Sequence, residues 1–297
     1  EISPAMDLPL GEVNCMFCGQ CTVVCPVGAL RETDGIEKVW SALNDAKKRV
    51  VVQVAPAVRV AIGEEFGNEA GTIATGKLAA VLRMLGFDDV FDTNFTADLT
   101  ILEEGTELLN RLNKAVKKEG ETALPMITSC SPGWIKYIEH TYPDKLNHLS
   151  TCKSPHTMMG ALVKSYWAEK INVNPKDIFV VSVMPCTAKK FEIFRSEMKN
   201  NGCPNVDAVI TTRELGAMIK EAGIDFNSLK YEEFDAPLGF STGAADIFGL
   251  TGGVMEAALR TVYEIVTGRE LPFDKLHVKP ISGFDRIKTA EIKIEKP

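Results

Sequence analysis

Apolar residues along this chain fall into two alternating kinds of run. Short apolar runs at Arg49–Pro56 (a strand followed by a turn), Asp88–Thr93, Leu124–Ile127, Ile178–Val183 and Asp207–Thr212, most of them rich in β-branched residues, predict strands. Between them lie longer segments with apolar residues at helical spacing. A helix is expected over Gly35–Lys48, with Ile36, Val39, Trp40 and Leu43 on one face, and another over Gly76–Leu85, closed by Gly86. Further helices are expected over Ala97–Glu119, Trp134–His140 and His156–Glu169, and one opened by the capping arrangement Thr212-Arg213-Glu214-Leu215. Strands alternating with helices predict an α/β fold with a mostly parallel sheet.

Ile178–Val183 runs into Met184-Pro185-Cys186-Thr187-Ala188-Lys189-Lys190-Phe191-Glu192. Pro185 has no N–H and ends the ladder, so Cys186 is delivered to the C-terminal edge of a strand, where open α/β sheets hold ligands. Lys189 and Lys190 put cations near that sulfur and favour thiolate. A buried structural cysteine with solvated lysines is the plainer alternative. The device repeats at Thr128-Ser129-Cys130-Ser131-Pro132-Gly133-Trp134. Glu104, Glu107 and Arg111, spaced by three and four, share one helix face, which taken alone reads as a solvated ion-paired surface.

The chain has 297 residues, enough for two domains of ordinary size or one large and one small. Its net charge of −7 argues against a general nucleic-acid role, and its apolar runs fall far short of a membrane span. Glu1-Ile2-Ser3 has no initiator Met and no signal core, as expected of a segment of a longer chain. Four of the eight cysteines form Cys15-x2-Cys18-x2-Cys21-x3-Cys25-Pro26. This is the bacterial ferredoxin run, in which three thiolates take corners of one [4Fe–4S] cube and the fourth usually serves a second. A zinc knuckle would instead want two Cys pairs across a longer loop. Such cysteine usage suits a reducing cytoplasm. Composition changes near residue 46. The expected organisation is therefore a partial ferredoxin-like [4Fe–4S] domain over 1–45 and a larger domain over 46–297. Thr251-Gly252-Gly253 tempts as a nucleotide loop but completes no such motif.

With these motifs in hand, the chain resembles the catalytic domain of [FeFe]-hydrogenases over essentially its whole length. The resemblance is carried by T-S-C-S-P-G-W at 128–134, M-P-C-T-A-K-K-F-E at 184–192, the Gly- and Ala-rich 240–260 segment, and Val54 to Phe66. It implies a two-lobed domain with parallel-sheet lobes, holding an H-cluster: a [4Fe–4S] cube bridged by a thiolate to a two-iron unit with CO, CN⁻ and dithiolate ligands. Cys186 matches a cube ligand, Lys189 the residue that hydrogen-bonds a cyanide, and Ala55, Pro56, Ser154 and Met184 residues lining the two-iron unit. Glu104, Glu107, Arg111 and Ser150 match a proton route from solvent to Cys130. Many members have two adjacent cysteines where this chain has Cys130-Ser131, so either Ser131 holds the cube weakly or Cys130 takes over ligation. Cys152 and Cys203 are expected to be structural. The family's last motif, E-x-M-x-C-x-x-G-C, is not present before Lys296-Pro297, as expected of a fragment that should not assemble a stable H-cluster alone. The implied activity is 2H⁺ + 2e⁻ ⇌ H₂, with electrons from ferredoxin or NADH-linked iron–sulfur subunits. The rival expectations are a cytosolic iron–sulfur assembly relative and a hydrogen-sensing member. The first should lack the relay and cyanide-binding residues; the second would be betrayed by a fused signalling domain.

Overall fold

The strand β1 (Arg49–Val54) buries five of its six side chains, and the fold is arranged around it. The computed structural model describes residues 5–250, 252–270, 279–281, 284–289 and 291–292. Glu1 to Ser3, Thr251 and Lys296-Pro297 lie outside the described residues. Ahead of β1 come two short helices, α1 (Gln20–Val24) and α2 (Ile36–Leu43). After it come α3 (Val58–Ala61), α4 (Thr75–Met84), β2 (Asp89–Asp92) and the long α5 (Asn94–Lys117). Next are α6 (Pro132–Thr141) and α7 (Pro155–Leu162), which continues through a π-helical turn, Val163–Trp167, into α8 (Ala168–Lys170). Then follow β3 (Ile178–Val183), α9 (Ala188–Glu192), the short antiparallel pair β4 (Lys199–Asn200) and β5 (Cys203–Pro204), β6 (Ala208–Ile210) and α10 (Thr212–Glu221). The helix α11 (Gly253–Thr267) and an antiparallel pair, β7 (Lys279–Ile281) and β8 (Phe284–Thr289), complete the described chain.

Strands β2, β1, β3 and β6 pair in that order, all parallel. Parallel pairing needs crossover connections, and the helices that make them cover the sheet faces, so the central strands read as unbroken apolar runs. Val51, Val52, Val54, Val180, Val181 and Val183 are fully buried, and α2 adds Val39 and Ala42 to the same core. Packing is close where α7 crosses the chain before β6. A Cβ added to Gly160 would lie 2.2 Å from the backbone oxygen of Asn205.

Two expectations change. Leu124–Ile127 is not a strand. Pro125 has no N–H to offer a ladder, and pairing is confined to one bridge, in which Ile127 N–H donates to His148 O (2.8 Å) and Ser150 N–H donates to Ile127 O (2.7 Å). The cap of α10 is Thr211 rather than Thr212. Thr211 Oγ1 accepts from Glu214 N–H while the Glu214 carboxylate accepts from Thr211 N–H, a complete capping box. Among the described residues the strands that pair in parallel form this one sheet, with further isolated parallel bridges at Phe91–Asp235 and Ile127–Leu149.

Candidate functional site

At the C-terminal edge of the sheet, Ala55 N–H donates to Val183 O (3.0 Å) and Met184 N–H to Ile210 O (2.9 Å). Ala55-Pro56 and Met184-Pro185-Cys186 therefore leave adjacent strands side by side, with Ala55 and Met184 buried. Ser154, at the N-cap of α7, is buried and its hydroxyl meets that of Thr157 at 3.1 Å. In the first turn of α9 the Lys189 ammonium donates to Cys130 O (2.7 Å) and to Glu192 Oε2 (2.8 Å). That bond ties the turn after β3 to the loop before α6, so Cys130 and Cys186 share one edge of the sheet. Lys190 does not serve this site. Its ammonium turns to Glu214 Oε1 (2.7 Å) and to the carbonyls of Thr33 and Val209, because Glu214 offers the nearer anion. An ammonium has three N–H groups, and Lys189 spends two, leaving one for a further acceptor. Trp134 Nε1, in the first turn of α6, is a buried donor with no partner among the described residues. Two thiols, a spare ammonium proton, an unpartnered indole N–H and a small apolar lining fit an anionic iron–sulfur group.

Behind Lys189 is a buried pair that sequence reading missed. His156 Nε2 meets Glu192 Oε2 at 2.7 Å, and His156 Nδ1 meets Ser182 Oγ at 3.2 Å. A carboxylate can only accept, so Nε2 carries the proton and Nδ1 accepts from Ser182. Complete burial, aided by the Lys189 charge, pushes His156 below its ordinary value and keeps it neutral. Burial opposes ionisation of Glu192, but His156 and Lys189 more than offset it and hold the carboxyl down to about 2. The one signal in the sequence is the three-residue spacing of Lys189 and Glu192 on α9.

The helix face of Glu104, Glu107 and Arg111 is not a solvated surface. Glu104 is buried, and Glu107 pairs with Arg111 at 2.6 Å. Glu107 Oε2 accepts from Thr151 N–H (3.0 Å), Thr151 Oγ1 (3.0 Å) and Ser150 Oγ (3.2 Å). Burial works against its charge, but the Thr151 and Arg111 donors prevail and lower its pKa. Glu104 is raised by burial, only partly offset by the Ser150 hydroxyl and Ser129 N–H. Cys130 is also raised by burial; the Lys189 charge opposes this and the Glu104 charge reinforces it.

Cys152, expected to be structural, lies beside this carboxylate, its Sγ 3.8 Å from Glu107 Oε2. Burial pushes its thiol up to about 11. Thr151 and Cys152 line both a hollow of about 380 Å³ beside Glu107 and Lys114 and a second of about 210 Å³ that reaches Ser129, Ser154 and Glu192. Cys203 lies in β5, away from these contacts.

The N-terminal cysteines sit on a loop of tight turns, with Phe17 (φ +55°) and Gly19 (φ +74°) in left-handed conformation. Phe17 N–H points at Cys15 Sγ (3.4 Å). The backbone N–H groups of Leu30, Val27, Ala29 and Gly28 gather on Cys25 and lower its pKa, stabilising the thiolate form that binds iron. Cys18 and Cys21 are exposed and all eight cysteines are free. Among the described residues no three Cys, His, Asp or Glu side chains converge as around a single metal ion. The donor chemistry at Cys15 and Cys25 nevertheless fits a cube, which takes one thiolate at each iron.

Residues 48–297 match the iron only hydrogenase large subunit, C-terminal domain, and residues 12–31 match a 4Fe-4S binding domain. The NADP-reducing hydrogenase subunit HndD of Solidesulfovibrio fructosivorans is 53% identical over 293 residues, 99% of this chain and 50% of that protein. The periplasmic [Fe] hydrogenase large subunit of Nitratidesulfovibrio vulgaris is 49% identical over 317 residues, 96% of this chain and 74% of that one. An apo [FeFe]-hydrogenase HydA1 variant from Chlamydomonas reinhardtii superposes with a TM-score of 0.76 at 48% identity, covering 86% of this chain and 64% of that one. A probable cytosolic Fe-S cluster assembly factor of Nematostella vectensis is similar at 36% identity over 79% of this chain. The chain spans about half the length of HndD and under two thirds of the solved hydrogenase.

Proposed function

The chain belongs to the iron-only hydrogenase family, and on that premise we propose that it is the catalytic part of an [FeFe]-hydrogenase, performing 2H⁺ + 2e⁻ ⇌ H₂. The observation that carries this reading is the run of acid and hydroxyl groups, Glu107, Ser150 and Glu104, leading inward from an open hollow toward Cys130. Proton chemistry at a buried centre needs such a route, because a proton crosses protein only along groups that can bind and release it.

Cys186, with Cys130 or Ser131, would hold the cube, and Ala55, Pro56, Ser154 and Met184 would line the two-iron unit. When bound, that cofactor supplies the redox centre at which protons and electrons combine. The chain's own residues do the rest. Glu107, held ionised by Arg111 and Thr151, takes a proton from solvent only transiently. Glu104, whose burial raises its proton affinity, draws the proton inward past the Ser150 hydroxyl. Cys130 keeps its proton on the thiol until it is handed on. Lys189, fixed in place by Glu192, would offer its remaining N–H to an anionic ligand of the cofactor. Cys15, Cys18, Cys21 and Cys25 would hold iron–sulfur clusters, which when bound supply the path for electrons.

An iron–sulfur assembly role is the weaker reading, because it has no use for the Glu107–Ser150 contact or for a lysine with a spare donor. The electron partner we favour is an iron–sulfur subunit linked to a reduced nicotinamide or to ferredoxin, since one relative is named as a subunit of an NADP-reducing hydrogenase. No described helix is long and apolar enough to cross a membrane. Unpaired cysteines favour the cytoplasm. The test is hydrogen evolution from reduced methyl viologen by the intact protein matured without oxygen. Iron-loaded protein without hydrogen evolution or uptake would sink the proposal.

A further inference from the structure

Phe17 stands between Cys15 and Cys18, and Phe191 lies on α9, the helix that follows Cys186. Their rings stack with centroids 4.7 Å apart and planes 22° from parallel. Lys136 on α6 lies over both, its Nζ 5.8 Å from the Phe17 centroid and 5.2 Å from that of Phe191. Beside the stack, Thr187 Oγ1 donates to Phe17 O (2.9 Å), and Gly19 has no room for a side chain, since a Cβ there would lie 2.6 Å from Thr187 Oγ1. Three segments converge at this seam: the N-terminal cysteine loop, the Cys186 turn, and the helix that follows Cys130-Ser131.

Packing accounts for the ring pair. Cation–π attraction seats Lys136 on it, and among the described residues that cation forms no ion pair. An uncompensated, half-buried positive charge sets up a field at the point where an electron would cross. Reduction of an iron–sulfur cluster adds one negative charge, so a nearby cation favours the reduced form and raises the potential. We propose that Lys136, seated on the Phe17–Phe191 pair, is a positioning residue for electron entry, raising the potential of the cluster bound by Cys15, Cys18 and Cys21. The proposal rests on the iron–sulfur reading of those cysteines and deepens it.

The test is an anaerobic redox titration of the matured protein followed by electron paramagnetic resonance, comparing parent, Lys136→Gln and Lys136→Arg. The midpoint of the cluster moves to a more negative value in Lys136→Gln and returns toward the parent in Lys136→Arg. The shift shrinks as salt is raised, because a half-buried charge is screened. A purely structural lysine would leave the midpoint where it was. Equal midpoints in parent and Lys136→Gln, with the cluster signal intact in both, overturn this proposal and leave the iron–sulfur reading standing. A parent protein with no reduced-cluster signal overturns both.

Discussion

Glu107→Gln separates a relay from a structural ion pair, because the two roles predict losses of different size. Glu107 uses both oxygens. Oε1 accepts from Arg111 Nε (3.0 Å) and Nη2 (2.6 Å), and Oε2 accepts from Thr151 twice and from Ser150 once. A glutamine keeps one acceptor and replaces the other with a donor. Oriented toward Thr151 and Ser150 it loses the pair with Arg111, whose side chains are only 14% and 16% exposed. A pair this close to the surface is worth about 1 kcal/mol, and turning donor against donor adds roughly as much again. About 2 kcal/mol in all corresponds to a fall in Tm of about 4–8 °C for a domain of this size.

Loss of a positioned acid–base group costs about 10²–10⁴ in rate, or about 3–5 kcal/mol of barrier. The stability loss leaves the protein folded at 25 °C and cannot produce that drop. Hydrogen evolution from reduced methyl viologen should therefore fall at least about 10²-fold, with iron content equal to the parent. A variant with lowered Tm, full iron and turnover within about threefold of the parent would refute the relay and leave Glu107 as an ion-pair partner.

Three further outcomes follow from the same geometry. Ser131→Cys should raise the iron retained after gel filtration, because iron prefers thiolate to a neutral hydroxyl; unchanged iron would assign the cube to Cys130 instead. Gly160→Ala should lower stability to urea by about 1–3 kcal/mol, since the backbone oxygen of Asn205, 2.2 Å from the added carbon, cannot turn aside; an unmoved midpoint would contradict the packing of α7. Glu192 has a folded pKa of about 2 against an ordinary 4.5, so its stabilisation is complete above pH 4.5 and is lost as pH falls toward 2. The stability gap between parent and Glu192→Gln, read by urea titration, should close over that window, and a gap constant with pH would mean that the carboxylate is not held ionised.

What was legible in the sequence and what was not divides along a physical line. The strands β1 and β3 could be read because burial on both faces leaves an uninterrupted apolar run, and their ends carried Ala55-Pro56 and Met184-Pro185-Cys186 to one edge. Leu124–Ile127 has the same local look but finds a partner only at Ile127, and pairing is not a local property. The spacing of Glu104, Glu107 and Arg111 told of a common face but not of its burial, which separates a proton carrier from a solvated charge. The contacts of Cys152 and His156 were not legible for a related reason. Their partners, Glu107 and Glu192, lie on α5 and α9, so the contacts exist only once those helices have packed. The same packing sets two carboxyls of one helix face apart. Glu104 and Glu107 are the same residue type on one helix, yet Arg111 and Thr151 lower one while burial raises the other. Proton affinity thus rises inward along α5 because one end of the face meets donors and the other meets the protein interior.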